Sequence, residues 1–241
     1  MCKSCDDRSI GRRGFLTMVG LGLAASSFAF GIDRALGAAG GPHTSMTPDE
    51  ALAALKAGNA RYVSSPEVCA ADLGKRRTDV AHSQAPWATI VGCSDSRVPP
   101  ELLFGGLGVG DVFVARNAGN MVDTATMGTI EYGAAVLGAP LIIVLGHERC
   151  GAVVAACDVV LKKATFPGSI GAMVKPIVPA AMAVRNQPGD FVDNTVRESA
   201  KRTAAQIASK SAVVAPLVKS GKVKVIAARY DLDDGKVEYF S

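Results

Sequence analysis

Three apolar runs mark the middle of the chain: ATIVG (88–92), VFVARN (112–117) and LIIVLG (141–146). Each is continuous rather than alternating, which is the pattern of strands covered on both faces. The segment 124–139 (TATMGTIEYGAAVLGA) lies between the second and third runs and reads as a helix, as does 150–164 (CGAVVAACDVVLKKA) after the third. Helical patterns continue over 169–186 and 189–214 in spite of several prolines. Residues 222–240 predict a strand, a tight turn at Asp233-Asp234-Gly235 and a short antiparallel strand. Ahead of the first run, TPDEALAALKAGNARYV (47–63) opens with Thr47 as N-cap, Pro48 at the first helical position and acids in the first turn, so a helix starts there. A short polar helix is expected over 71–81. The alternation of strands and helices indicates an α/β fold, a mainly parallel β-sheet with flanking helices and a C-terminal antiparallel edge strand.

Residues 1–39 follow a different pattern. A basic start leads into a Gly/Ala/Leu-rich apolar stretch that ends in small residues, the layout of a targeting segment. Arg12 and Arg13, followed by Phe15 and Leu16, resemble a twin-arginine export signal. Cleavage after Gly37 or after Ala39 fits the small residues there. The rival reading is an uncleaved membrane anchor over Phe15–Ile32, disfavoured because Gly and Ser make that stretch weakly hydrophobic. The expected organisation is therefore a signal over 1–39, a linker over 40–46 and one α/β domain over 47–241, in a periplasmic or exported protein.

Composition supports this reading. Of 241 residues, 49% are hydrophobic and 20% charged, as in globular proteins. Aromatics are only 5%, and the abundance of Ala, Val and Gly suits helices packed closely on a parallel sheet. The net charge of +4 is partly carried by the N-terminal segment, and no basic run or basic-aromatic patch stands out. Nucleic acid is thereby excluded as an expected partner.

The candidate chemistry sits at the ends of two apolar runs. The first ends in Cys93, Asp95 and Arg97, reactive groups that are costly to bury unless paired or bound to a metal. The third ends in Gly146-His147, with Cys150 and Gly151 opening the next helix. Sites in such sheets form beyond the carboxyl ends of the strands. Cys93, His147 and Cys150 make a Cys₂His set, and three protein ligands with an open fourth position is a catalytic zinc arrangement. Continued extension past Cys93 would put Cys93, Asp95 and Arg97 on one side, with Arg97 pairing to Asp95. A helix start at Cys150 favours its thiolate and leaves the Gly151 N–H free for an anion. The other cysteines carry less. Cys2 and Cys5 fall in the segment expected to be cleaved, Cys157 reads as a small core residue, and Cys69 lies in a polar connection. A Cys69–Cys157 disulfide has no positive support. His43 reads as solvated in a Gly-Pro linker and His82 as a loop residue.

CSDSR followed after about fifty residues by GHERCG resembles the β-class carbonic anhydrases, and the likeness extends from LKAGNARYV through SQAPWATIVGCSDSRVPPELLF, GDVFVARNAGN and GTIEYGAAVLGAPLIIVLGHERCGAV. The resemblance implies one zinc ion per chain on Cys93, His147 and Cys150, with water, or Asp95 in a closed state, in the fourth place. It implies catalytic roles for Asp95 and Arg97, and substrate binding by Gln84 (in SQAP) and the Gly151 N–H. It also implies a homodimer or larger even assembly, with 47–81 as the N-terminal helical dimer arm. Glu148 occupies a variable place within the second motif and has no assigned role. Members with a regulatory bicarbonate site carry Trp three residues before the first zinc cysteine; here that residue is Ile90, so a plant-like, non-allosteric form is expected.

The implied reaction is the reversible hydration of carbon dioxide to bicarbonate and a proton. Two thiolates leave zinc a weaker Lewis acid than three histidines would, so activity should rise toward alkaline pH. Twin-arginine export carries folded proteins, so the translocation machinery is an expected partner and zinc an expected cytoplasmic load. Hydrolysis of carbon disulfide or carbonyl sulfide on the same zinc site is the alternative. From another class, a zinc store or redox sensor would have no need of Asp95, Arg97 and Gln84. FGGLGVGD precedes a strand rather than following one, which argues against a dinucleotide-binding loop.

Overall fold

The computed structural model describes residues 42–65 and 73–240. The expected export signal, with Cys2 and Cys5, lies outside the described residues, as does Cys69. Among the described residues, no helix is long and apolar enough to cross a membrane.

Five strands form one sheet: β1 (Ala88–Cys93), β2 (Val112–Asn117), β3 (Leu141–His147), β4 (Lys224–Tyr230) and β5 (Val237–Phe240). Their order is β2-β1-β3-β4-β5. The first four are parallel, and β5 runs antiparallel to β4 at the edge. The chain leaves β1 to one side to make β2, then crosses to the other side to make β3. The carboxyl ends of β1 and β3 therefore flank a topological switch point, where a crevice opens beyond the strands. Every residue of β1 and β3 is buried, which explains their unbroken apolar runs.

Side-chain alternation divides each strand between two cores. On one face Leu141, Ile143 and Leu145 join Ile90, Leu103 and Phe104, covered by α1 (Pro48–Ser64) and α3 (Pro100–Leu103). Between them in sequence lies the short α2 (Leu73–Asp79), whose Arg76 bonds Val109 O and Asp111. On the other face Ile142 and Val144 join Val91 and Ile130. There α4 (Thr124–Glu131) packs, and the helices of the second half follow in order: α5 (Gly151–Lys162), α6 (Ser169–Val174), α7 (Val178–Val184), α8 (Phe191–Lys210) and α9 (Val214–Lys219). Ala200, Ala204 and Ile207 of α8 complete this core.

Several boundaries differ from expectation. The helix expected over 124–139 is α-helical only to Glu131 and ends in a π-turn over Tyr132–Val136. The pattern at 169–186 is split into α6, a 3₁₀ turn at Lys175–Ile177 and α7, because Pro176 and Pro179 each remove a backbone donor. The pattern at 189–214 stops at Lys210, and α9 follows separately.

The start of α1 is a capping box: Glu50 N–H donates to the Thr47 hydroxyl, and Thr47 N–H to the Glu50 carboxylate. This helix is docked on its own chain. Ala51 and Leu55 are fully buried, and Asn59 donates to Leu103 O and Gly235 O while accepting from Val237 N–H. A Cβ on Gly58 would stand 2.1 Å from Phe104 O, so only glycine lets α1 approach α3 this closely.

Candidate metal centre

Cys93 ends β1 and His147 ends β3, one residue further along in register, since Gly92 pairs with Leu145. Cys150 is the N-cap of α5, after a turn in which Arg149 takes a left-handed backbone (φ 52°). The strand ends and the helix start thus bring three ligands together from two segments more than fifty residues apart. Their ligating atoms all lie within 4.8 Å of one another, and all three residues are buried.

The chemistry of this group fits zinc. His147 Nδ1 lies 2.9 Å from Glu148 O; a carbonyl only accepts, so Nδ1 carries the hydrogen and Nε2 a lone pair. That Nε2 is buried and has no hydrogen-bond partner. An orphaned buried acceptor is costly unless something else satisfies it. The sulfurs of Cys93 and Cys150 stand 3.9 Å apart, far beyond disulfide length. Two thiolates at ~2.3 Å from a tetrahedral zinc are about 3.8 Å apart. Cys93, Cys150 and Cys157 are free thiols among the described residues.

Within the thiol pair the Cys93 thiol is lowered from its ordinary value, chiefly by its hydrogen bond with Cys150 and also by the Gly119 N–H. Cys150 is pushed up, by the same hydrogen bond and by burial.

Asp95 and Arg97 are paired, as expected, but not by an extended strand. The chain turns after Cys93, and Val98 N–H closes the turn onto Asp95 O. Arg97 then grips Asp95 three times, from its backbone N–H (2.9 Å), Nε (2.9 Å) and a terminal nitrogen (2.8 Å). These bonds, the side-chain ones first, hold the Asp95 carboxyl well below the usual carboxylate range. Its Oδ2 also lies 3.8 Å from His147 Nε2. Asp95 therefore borders the ligand set while both its oxygens remain bonded to Arg97.

Three further contributors lie in GDVFVARNAGN, a stretch that carries the family likeness but yielded no candidate site residue. Gly119 N–H donates to Cys93 Sγ at 3.3 Å; its φ of +82° strains any other residue, and a Cβ there would meet Ile177 Cδ1 at 2.6 Å, so that side chain would have to shift. Arg116 donates to Cys93 O and Asp95 O, bracing the turn from β2. Asn117 closes the loop that carries Gly119, bonding Met121 N–H and O and the Thr126 hydroxyl. Sequence periodicity is blind to such bonds because each depends on how the loop after β2 folds and not on spacing along a helix or strand.

Of the two expected substrate-binding groups, Gly151 is at the site. It opens α5 beside Cys150, and a Cβ there would meet nothing within 4 Å. Gln84 is not brought to the site of its own chain. It is exposed and precedes β1, whereas Cys93 ends that strand about 17 Å along. Cys157 is buried, as expected of a core residue, with its S–H directed to the Thr195 hydroxyl. A second acidic group, Glu148, Asp231 and Asp233, is satisfied by arginines: Arg149 bonds Glu148 and Asp233, and Arg229 bonds Asp231.

Comparison with known proteins gives the family of the chain. The family model for carbonic anhydrase matches residues 88–237, from the start of β1 to the start of β5. A carbonic anhydrase of Mycolicibacterium smegmatis is 37% identical over 191 residues, covering 79% of this chain and 92% of that protein. Carbonic anhydrase 2 of Mycobacterium tuberculosis is 36% identical over 190 residues, covering 78% and 91%. Among solved structures, a tetrameric β-carbonic anhydrase from Sordaria macrospora superposes with a TM-score of 0.60 at 23% identity, covering 70% of this chain and 90% of that one. The Coccomyxa β-carbonic anhydrase, solved with acetazolamide, gives 0.59 at 24% identity, covering 81% and 86%. At these identities the structural likeness speaks for the fold, and the sequence matches speak for the family. With its Cys93, His147 and Cys150 at the carboxyl ends of a mainly parallel sheet, the chain belongs to the carbonic anhydrase family, in its β class.

Proposed function

We propose that this protein is a carbonate dehydratase, catalysing the zinc-dependent, reversible hydration of carbon dioxide to bicarbonate and a proton. The observation that carries the reading is the buried, unpartnered His147 Nε2 facing two cysteine sulfurs 3.9 Å apart, with an ionised carboxylate 3.8 Å from the same nitrogen. Cys93, His147 and Cys150 would hold a zinc ion, which would supply the Lewis acidity that makes water a competent nucleophile, the more so toward alkaline pH because two thiolates weaken it.

The chain's own residues do the rest by orientation and charge placement. Asp95, kept anionic by Arg97, accepts a hydrogen from the attacking water and turns its lone pair toward the carbon of carbon dioxide. Arg97 holds the carboxylate plane through two side-chain bonds and so fixes the acceptor's direction. The Gly151 N–H, at the positive end of the 12-residue α5, receives a substrate oxygen as charge builds on it. Gln84, remote from its own Cys93, serves in this reading the site of a second copy, in a homodimer to which α1 and α2 contribute surface. The apolar lining behind the thiols, Val153, Ile177 and Val196, keeps bulk water from the ligands.

The segment 1–39 is proposed as a twin-arginine export signal, which would deliver the folded, zinc-loaded protein to the periplasm. Replacing Arg12 and Arg13 together with lysine should leave the protein in the cytoplasmic fraction; continued export would remove that assignment. The reaction is tested by offering carbon dioxide, carbonyl sulfide and carbon disulfide to the purified zinc-loaded protein. Turnover should be fastest with carbon dioxide, and a preference for either sulfur compound would overturn the assignment.

A further inference from the structure

Glu148 has no part in the mechanism above, yet both its backbone and its carboxylate are tied down within the second metal-binding turn. Its backbone N–H donates to Tyr230 O at 2.9 Å. Its Oε2 accepts from Leu232 N–H at 3.1 Å, and its Oε1 from Arg149 at 3.0 Å. Its own carbonyl accepts the His147 Nδ1–H at 2.9 Å. Arg149 in turn is held by both oxygens of Asp233, at 2.9 and 2.6 Å. The Glu148 side chain is only 17% exposed, and Arg229 approaches it at 3.8 Å.

These bonds run from the C-terminal hairpin into the ligand set. The hairpin between β4 and β5 carries Leu232 and Asp233; both grip the Glu148-Arg149 pair; and the Glu148 carbonyl meets the ring nitrogen of His147. A carbonyl that moved away would free Nδ1 of its acceptor, and the imidazole would then populate both tautomers. Only the tautomer with hydrogen on Nδ1 leaves a lone pair on the Nε2 that faces the two sulfurs.

We propose that Glu148 is a positioning residue for the metal centre: its carboxylate, anchored on the hairpin, fixes the backbone carbonyl that sets the tautomer and orientation of His147. The proposal rests on the zinc reading of Cys93, His147 and Cys150. It assigns a role to one position of the H-x-x-C spacing that the ligand chemistry leaves open. Outer partners of metal-bound histidines commonly change affinity by about 10–100-fold when removed.

The test uses full-length protein carrying Glu148→Ala or Glu148→Gln, with Cys93→Ser as a ligand control. In the metal-free proteins, imidazole ¹⁵N shifts should report His147 in one tautomer, with hydrogen on Nδ1, in the wild type and in Glu148→Gln. The amide oxygen of Gln still accepts from Leu232 N–H. Glu148→Ala should show averaged shifts of a tautomer mixture. Chelator competition should give zinc affinity about 10–100-fold weaker for Glu148→Ala and within a few-fold of wild type for Glu148→Gln. The visible bands of the cobalt-substituted proteins should move only in the alanine variant. If Glu148→Ala fails to fold, Asp233→Ala loosens the same anchor from the exposed side and should shift the tautomer balance and zinc affinity in the same direction. Unchanged tautomer and unchanged zinc affinity in the folded variants overturn the proposal. Zinc binding by Cys93→Ser as tight as by the wild type overturns instead the metal reading, and the role of Glu148 falls with it.

Discussion

The two turns that carry the site solve different problems. The turn after β3 buries what it presents: His147 is fully buried and Cys150 is 1% exposed. It is tied to β4 and to the hairpin beyond by Glu148 and Arg149. The turn after β1 buries Cys93 but then releases Asp95, at 18% side-chain exposure, and Arg97, at 53%, toward solvent. Arg97 and Arg116 steady it, and both are themselves exposed. The first arrangement suits ligands, which must be in place before the metal arrives. The second suits groups that handle water and protons and must meet substrate coming from outside. Geometry is held from behind by buried atoms, while chemistry is delivered from the rim.

If that division is right, damage to the two turns should differ in kind. The largest effect belongs to the buried side: Cys150→Ser should abolish stoichiometric zinc, read by metal analysis, and take activity to background with it. A protein that keeps both would dissolve the distinction. Next, on the rim, Asp95→Asn should keep one zinc per chain yet lose about 10²–10³-fold in turnover, the size of effect seen when one preorganised polar group is removed. Zinc loss in that variant would show that Asp95 belongs to the buried set.

Gly119→Ala sits between the two. Its φ of +82° and the 2.6 Å approach to Ile177 Cδ1 predict a loss of about 1–3 kcal/mol, measured by denaturant unfolding. Stability equal to wild type would mean that the loop behind Cys93 yields easily. The smallest effect concerns acid. Arg229 lowers Asp231 to about 2, first among the causes of its shift. A depressed carboxyl adds stability that is present above its unfolded value, about 3.9, and is lost as pH falls through the folded one. Thermal unfolding should therefore show a decline between about pH 4 and about pH 2 that is shallower in Asp231→Asn. An identical acid limb in both proteins would remove the hairpin from the acid response.

The same contrast governs what the residues revealed before the fold was known. Fully buried strands announce themselves as apolar runs, so β1 and β3 were legible almost to their ends. The strand β2 also lies where expected, but as the edge of the sheet it is only partly buried and exposes Arg116, instead of being covered on both faces. Cys93, His147 and Cys150 were legible because ligand types at strand ends are unusual. The Asp95–Arg97 pair was legible too, though by a turn closing on Asp95 O and not by strand alternation. Gly119, Arg116 and Asn117 were not read as site residues, since their bonds reach Cys93 and Asp95 from more than twenty residues away or close a loop locally, which no spacing along the chain reports. The break-up of 169–186 into short helices follows from Pro176 and Pro179, whose lost donors outweigh an otherwise helical pattern. Gln84 shows a further limit: its place in the sequence matches the family, but its position ahead of β1 puts it at the far end of the strand from Cys93.

The central claim is that Cys93, His147 and Cys150 hold a zinc ion that drives carbon dioxide hydration. Stopped-flow proton release on mixing carbon dioxide with the purified zinc-loaded protein at alkaline pH, beside Cys93→Ser, tests it most directly. The account predicts fast release from the wild type, and release no faster than the uncatalysed reaction from the serine variant. Slow release from a wild-type protein that carries a full complement of zinc would contradict it.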